Sequence, residues 1–195
     1  MKKNVLVLLF VAATSVAMHA QSFGVKTGLS LAKITDDSSS KTRTGFVGGV
    51  YTNFNLGESF SIQPELLYSA QGSKFSSDGY NGKIIFDYLT LPIMFQYAVV
   101  DGLYLQAGPQ IGFVVKDTTE VEGLGSIDTS DSLKLLGEKL NTFDFGFNFG
   151  AGYKTNFGLN FDARYNLGLN DIIKNVKGKN QVIQLTVGYD IVKPK

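Results

Sequence analysis

The stretch FDFGFNFGAGY, residues 143–153, alternates between aromatic residues and small or polar ones. Its aromatic positions are Phe143, Phe145, Phe147, Phe149 and, after Ala151, Tyr153. A repeat of two residues is typical of a β-strand with one apolar and one polar face. Such an apolar face contacts a protein core in a soluble barrel or sandwich, and lipid in an outer-membrane barrel. The rest of the sequence has to distinguish the two.

The composition favours a single all-β domain. The chain has 195 residues, with 22 glycines, 15 phenylalanines, 9 tyrosines and no cysteine. High glycine and aromatic content suits strands and tight turns better than helices. The absence of cysteine excludes disulfides and a lipid-modified cysteine.

The N-terminus, MKKNVLVLLFVAATSVAMHAQS, has the layout of a secretory signal peptide. Two lysines precede an apolar run from Val5 to Ala13, and Ala20 is a suitable residue before the cleavage site. We therefore expect a signal peptide at 1–20 and one β-barrel domain at 21–195. The alternative, an N-terminal membrane anchor, is disfavoured because a spanning helix needs about 20 apolar residues. Without residues 1–20, 16 basic and 17 acidic residues remain, a balance that does not favour a nucleic-acid partner.

Seven further segments show the same alternation, which gives eight predicted strands. The eight predicted strands begin near residues 22, 45, 60, 83, 103, 143, 159 and 181. Most run about 10–13 residues, the length that crosses a bilayer at a tilt. Long and short connections alternate between them, and the longest, Lys116–Asn141, is expected to be external. This pattern predicts an eight-stranded antiparallel up-and-down transmembrane β-barrel with both termini on the periplasmic side.

Two features favour lipid over a soluble core. Aromatic residues recur next to the short turns and form a predicted periplasmic girdle: Phe54, Phe60, Tyr97, Tyr153 and Tyr189. The opposite strand faces are rich in glycine, which suits the narrow interior of an eight-stranded barrel. We therefore expect Phe143, Phe145, Phe147 and Phe149 to face lipid. A soluble periplasmic lipocalin-like barrel is the alternative fold, in which the aromatic residues would cover a core.

Charged residues also fall on the predicted inner face: Lys26, Glu65, Asp144, Lys154, Asp162, Arg164 and Asp190. An unpaired buried charge is costly, so a structural network of ion pairs that fills the lumen is expected. Arg164 is expected to pair with Glu65 or Asp162. The alternative is a polar path for small solutes or a gate.

Five segments, IQPELLYSAQG, YLTLPIMFQY, LYLQAGPQIGF, FDFGFNFGAGY and DARYNLGLNDI, resemble the outer-membrane β-barrel family common in Bacteroidetes. Its members are described as porin family or PorT-like outer membrane proteins. The resemblance covers the whole mature chain and implies an eight-stranded barrel in the bacterial outer membrane, but no defined activity. The chain departs from the family at its C-terminus. Such barrels usually end on an aromatic residue recognised by the barrel-assembly machinery, whereas this chain ends in DIVKPK.

The mature sequence offers little for catalysis. Its only histidine, His19, lies in the predicted signal peptide, and it has no cysteine. His-based triads, thiol nucleophiles and most zinc sites are therefore excluded, whereas a serine/lysine or carboxylate-only hydrolase is not. We expect no enzymatic activity, no cofactor and no metal, with outer-membrane lipid and the barrel-assembly machinery as partners. Three roles stay open: an integrity barrel or narrow pore, a surface module that binds a ligand or protein through its loops, and a component of a secretion apparatus.

Overall fold

The computed structural model describes residues 22–35, 41–77, 80–121, 125–131, 139–174 and 176–192. The predicted signal peptide, residues 1–20, lies outside these ranges. The strands are β1 (Ser22–Ile34), β2 (Lys41–Asn55), β3 (Phe60–Ser77), β4 (Tyr80–Val100), β5 (Leu103–Val121), β6 (Gly125–Asp128), β7 (Phe143–Lys154), β8 (Leu159–Gly168) and β9 (Asn180–Val192). Within these ranges no helix is long and apolar enough to cross a membrane.

Eight of these strands close into a ring. Each pairs antiparallel with its neighbours, and β1 completes the ring by pairing with both β2 and β9. Within the ring, β5 pairs directly with β7. The short β6 pairs with the last residues of β5, up to Val121, and lies outside the ring. The predicted eight-stranded antiparallel barrel is therefore confirmed.

Three strands are longer than the sequence predicts. The polar stretch Gly72–Gly82 was expected to be a loop, but β3 and β4 remain paired through Ser77 and Tyr80. The loop expected at Lys116–Asn141 also begins later than predicted, because β5 continues to Val121 and β6 follows. The alternation disappears there because a paired strand needs an apolar face only where that face contacts lipid or a hydrophobic core. Backbone pairing needs no alternation, and Lys83 and Glu120 pair in register with a 2.7 Å ion pair.

The turns at the other end of the barrel are tight. β4 and β5 are joined by Asp101-Gly102, where Gly102 has φ of 81°, a left-handed conformation that favours glycine. Gly158, with φ of 98°, has the same role between β7 and β8. In outer-membrane barrels the short turns lie on the periplasmic side. By this rule the tight-turn end corresponds to the periplasmic end, and it is called the periplasmic end below. β1 begins at this end with Ser22, and β9 ends there with Val192.

Candidate functional site: the lumen of the barrel

Four charged side chains meet in the middle of the lumen. Arg164 on β8 donates two hydrogen bonds to Glu65 on β3, from Nη1 to Oε2 at 2.6 Å and from Nη2 to Oε1 at 2.8 Å. Lys26 on β1 contacts the same Glu65 at 3.0 Å and Asp162 on β8 at 2.6 Å. All four side chains are at most 2% exposed. This ion-pair cluster, Lys26, Glu65, Asp162 and Arg164, joins strands on opposite walls and carries no net charge.

Neutral side chains complete the hydrogen bonding of both carboxylates. Tyr104 Oη and Gln106 Nε2 donate to Asp162 Oδ1 at 2.7 and 2.6 Å. Gln63 Nε2 donates to Glu65 Oε1 at 2.7 Å. Charge-assisted hydrogen bonds of this kind offset the loss of hydration that burial imposes on a carboxylate.

The periplasmic mouth of the lumen is an open polar vestibule of about 200 Å³. Asp190 accepts a hydrogen bond from Tyr51 Oη at 2.5 Å and pairs with Lys154 at 2.6 Å. Asn160 donates to the same Tyr51 oxygen at 2.6 Å. The Lys154 side chain is 39% exposed, so this pair lies at the mouth, separate from the ion-pair cluster.

The polar face continues outward from the ion-pair cluster as a series of amides. Asn166 donates to Asn148 at 3.1 Å, and Asn148 donates to Gln110 at 3.1 Å. Further toward the extracellular end, Asn180 donates to Tyr88 Oη at 3.0 Å. These amides are buried, and fully buried apolar side chains such as Val47 and Val182 lie among them in the outer half of the lumen.

The prediction that Asp144 belongs to the ion-pair network is wrong for the described residues. Its side chain is buried in the outer half of the lumen, where its polar neighbour is Asn180 at 3.4 Å. Gly150 is the β7 residue that pairs with Arg164, six residues from Asp144. Six residues of strand span about 20 Å, too far for these side chains to meet.

A hydrophobic cluster covers the extracellular end of the lumen. Its buried members are Phe86, Tyr88 and Ile172, with Ile34, Ile84, Val114, Leu140 and Ile173 packed against them. Residues 139–142 and 169–174 are tied across this end by the backbone hydrogen bond from Asn141 N to Ile172 O at 2.8 Å. This hydrophobic cap and the ion-pair cluster are two separate layers across the barrel axis.

The outer surface of the barrel is apolar. The side chains of Phe143, Phe145, Phe147 and Phe149 point away from the lumen and are 42–51% exposed. Among the predicted girdle residues, Phe60, Tyr97, Tyr153 and Tyr189 are also exposed near the periplasmic turns, whereas Phe54 is half-buried. Phe60 and Tyr97 are in contact, with ring centroids 4.9 Å apart.

Sequence reasoning found the charged residues of the lumen but missed several of their partners. Lys26 was not expected to bridge Glu65 and Asp162, and Tyr51 and Tyr104 were not recognised as donors to carboxylates. Both tyrosines occupy inward positions of the alternation, and this position could have identified them as partners of the lumen carboxylates. Within the described ranges, no group of three or more histidine, cysteine, aspartate or glutamate side chains could hold a metal ion.

Comparison with known proteins agrees with this geometry. The family described as "Outer membrane protein beta-barrel domain" matches residues 16–174. The chain belongs to this family. It is therefore a protein of the bacterial outer membrane, and the alternative of a soluble periplasmic lipocalin-like barrel is wrong. The exposed phenylalanine row lies on the outer surface of this barrel.

Two solved structures illustrate the shared fold. Neisserial surface protein A, NspA, superposes with a TM-score of 0.54 at 13% identity, over 87% of this chain and 97% of that one. Ail, the attachment invasion locus protein of Yersinia pestis, was crystallised with the heparin analogue sucrose octasulfate. It superposes with a TM-score of 0.51 at 15% identity, over 87% of this chain and 98% of that one. No curated protein matches the sequence significantly. Identities this low show the fold of the outer-membrane barrel alone.

Proposed function

We propose that this chain is a non-conducting, non-enzymatic outer-membrane barrel that holds an extracellular β-sheet above the membrane as a binding surface. Within its family we place it with the porin family or PorT-like proteins of Bacteroidetes, on the five segments that resemble them. Its partners are outer-membrane lipid, the barrel-assembly machinery and a ligand or protein at the external surface.

The observation that carries the proposal is the ion-pair cluster across the lumen. Arg164 on β8 and Lys26 on β1 both contact Glu65 on β3, at 2.6–3.0 Å. All three side chains are almost fully buried. An eight-stranded barrel has an interior just wide enough for side chains to fill. A solute on the axis would have to separate charges that are paired and shielded from water.

The hydrophobic cap supports the same conclusion at the extracellular end. Phe86, Tyr88 and Ile172 are each at most 4% exposed, so water has little access to them from outside. An ion entering from outside would meet this apolar layer before it reached the charges. A constriction of apolar side chains is itself a barrier to ions.

The binding surface is proposed from the lengths of the strands. β3, β4 and β5 have 18, 21 and 19 residues, whereas β7, β8 and β9 have 12, 10 and 13. A tilted strand crosses the bilayer in about 9–11 residues. The excess length of the first three strands, with β6 paired to β5, forms a sheet on the extracellular side. Loops and extensions of this kind usually carry function on a rigid scaffold.

The environment of the buried carboxylates supports the absence of catalysis. Glu65 and Asp162 are held in ion pairs, and Asp190 is engaged by Tyr51 and Lys154. A catalytic acid or base needs access to substrate and a free proton-transfer position. Glu65 and Asp162 have neither, and Asp190, at the vestibule, has both of its oxygens engaged.

Narrow solute passage is the second candidate, favoured by the vestibule at the periplasmic mouth. Planar-bilayer conductance of the refolded protein tests both functions, with heat-modifiable gel migration as the control for folding. If the barrel is non-conducting, the folded protein should raise the conductance of the bilayer no more than unfolded protein, which shows no heat-dependent shift in gel migration. A large and steady conductance from folded protein, which shows the heat-dependent shift, would contradict the non-conducting barrel and favour solute passage.

A further inference from the structure

The outer half of the lumen contains a carboxylate without a counter-charge. Asp144 is 4% exposed, and among the described residues no lysine or arginine forms an ion pair with it. Its Oδ2 lies 3.4 Å from Asn180 Nδ2, and its Oδ1 has no hydrogen-bond partner. An isolated buried charge is strongly disfavoured. Asp144 therefore requires a compensating group that the neighbouring side chains do not supply.

Two amide oxygens in the same part of the lumen also lack partners. Asn180 uses its amide nitrogen toward Tyr88 and Asp144, which leaves its Oδ1 without a hydrogen bond. Asn166 donates to Asn148, and its own Oδ1 has no hydrogen bond either. Both asparagines are at most 1% exposed. All three unpartnered atoms in this group are oxygens, and they require a donor or a cation.

A pair of glycines on the lumen wall next to Asp144 leaves room for the Asn166 side chain and the Asn180 backbone. Gly146, the next inward position from Asp144 on β7, pairs with Gly168 on β8. A Cβ at Gly146 would lie 2.7 Å from Asn166 Nδ2 and 3.3 Å from its Oδ1, so that amide lies directly over the glycine. A Cβ at Gly168 would lie 2.6 Å from the backbone oxygen of Asn180. A larger side chain at position 146 would displace the Asn166 amide, and one at position 168 would clash with the backbone of Asn180.

We propose that Asp144, Asn166 and Asn180 bind a hard metal cation of the calcium class through their free side-chain oxygens. Carboxylate and amide oxygens are the ligands that such cations prefer, and water can complete the coordination. The cation supplies the positive charge that Asp144 lacks. Because the site has only one carboxylate, we expect a dissociation constant on the order of 1 mM for calcium.

Calcium-dependent stability of the refolded barrel tests the site. The protein is refolded in detergent with choline as the only small cation, in parallel samples that contain either a chelator or a graded concentration of calcium chloride, and heat unfolding of each sample is then followed. Calcium is present during refolding because the hydrophobic cap and the ion-pair cluster close both ends of this part of the lumen in the folded barrel. At calcium tenfold above the dissociation constant, the unfolding temperature of the wild type should rise by about 3–6 °C. Asp144→Asn keeps the size of the side chain but removes its charge, and should abolish the rise.

Asp190→Asn is the matched control, since it neutralises a buried carboxylate at the opposite end of the lumen. It should keep the full response to calcium, which separates the proposed site from calcium bound to detergent or to surface carboxylates. An equal rise in Asp144→Asn, or none in the wild type, would overturn the proposal. A wild type that ignores calcium but loses stability as pH rises would show that Asp144 is protonated, and would overturn it too.

Discussion

At the scale of the residue, Lys26 changes how the lumen is understood. The sequence predicts that Arg164 pairs with Glu65 or Asp162. The structure gives Arg164 a bidentate contact with Glu65 and a longer 3.6 Å contact with Asp162. Lys26 bridges the same two carboxylates. Each carboxylate therefore has two cationic neighbours, and removal of one cation leaves the cluster with a net charge of −1.

Arg164→Ala should lower the free energy of unfolding by about 3–5 kcal/mol, because it leaves a buried excess negative charge. Glu65→Ala/Arg164→Ala leaves Lys26 paired with Asp162, and should cost less than the sum of the two single changes. Unfolding in lipid vesicles by urea measures these differences. Lys83→Ala/Glu120→Ala is the control, because this exposed pair should deviate from additivity by less than about 1 kcal/mol. Strictly additive costs within the cluster would show that its charges are independently compensated.

Phe147→Arg should destabilise the folded barrel by about 2–4 kcal/mol if the side chain lies near the bilayer midplane. The exposed phenylalanine row motivates this prediction, since its members point away from the lumen on the outer surface of the barrel. Leu56→Arg, in the exposed periplasmic turn between β2 and β3, should cost no more than about 1 kcal/mol. The same vesicle unfolding experiment compares the two. Equal costs would contradict the lipid-facing assignment of Phe147.

The alternation of residues predicted which side chains enter the lumen, but not which ones meet there. Lys26, Glu65 and Arg164 come from β1, β3 and β8, and their heights on the axis depend on the stagger between strands. Stagger is set by turns and register across the whole ring, which period-two patterns do not encode. Asp144 faces the lumen as the pattern predicts. It lies at a different height on the barrel axis from the charged residues that it was expected to join.

At the scale of the element, the strands β3–β5 show where the pattern stops being informative. In the membrane, one face must be apolar, and the alternation located these strands well. Beyond it, stretches such as Lys116–Glu120 carry polar residues on both faces while the backbone stays paired. The β-branched residues Thr118, Thr119 and Val121 suit such a strand. The sequence therefore predicted the spanning parts of the strands and missed their extracellular continuations.

The topology can be tested with single cysteines, since the chain has none of its own. A membrane-impermeant maleimide should label Ser126→Cys on intact cells, because the exposed Ser126 of β6 lies in the extracellular sheet. Glu58→Cys and Asn156→Cys, in the periplasmic turns, should be labelled only after the outer membrane is permeabilised. Labelling of the two turn positions on intact cells, with Ser126→Cys protected, would mean that the barrel has the opposite orientation.

At the scale of the whole molecule, two barriers of different chemistry lie in series along one axis. The hydrophobic cap excludes water at the extracellular end, and the ion-pair cluster fills the middle. The vestibule beneath them lies at the periplasmic mouth, beside the tight turns. For barriers in series, an ion crosses only if both are open, so removal of either one alone should have a small effect on conductance.

Conductance should therefore appear only when both barriers are weakened together. Glu65→Ala/Arg164→Ala removes a paired cation and anion from the cluster, and Phe86→Ala opens the cap at a side chain that is 1% exposed. In planar bilayers the wild type, the double variant and Phe86→Ala should each conduct little, whereas the triple variant should conduct many times more than the sum of the other two variants. Heat-modifiable migration of every variant controls for folding. If the double variant alone conducted as much as the triple variant, the hydrophobic cap would be open to ions, and the ion-pair cluster would be the sole barrier.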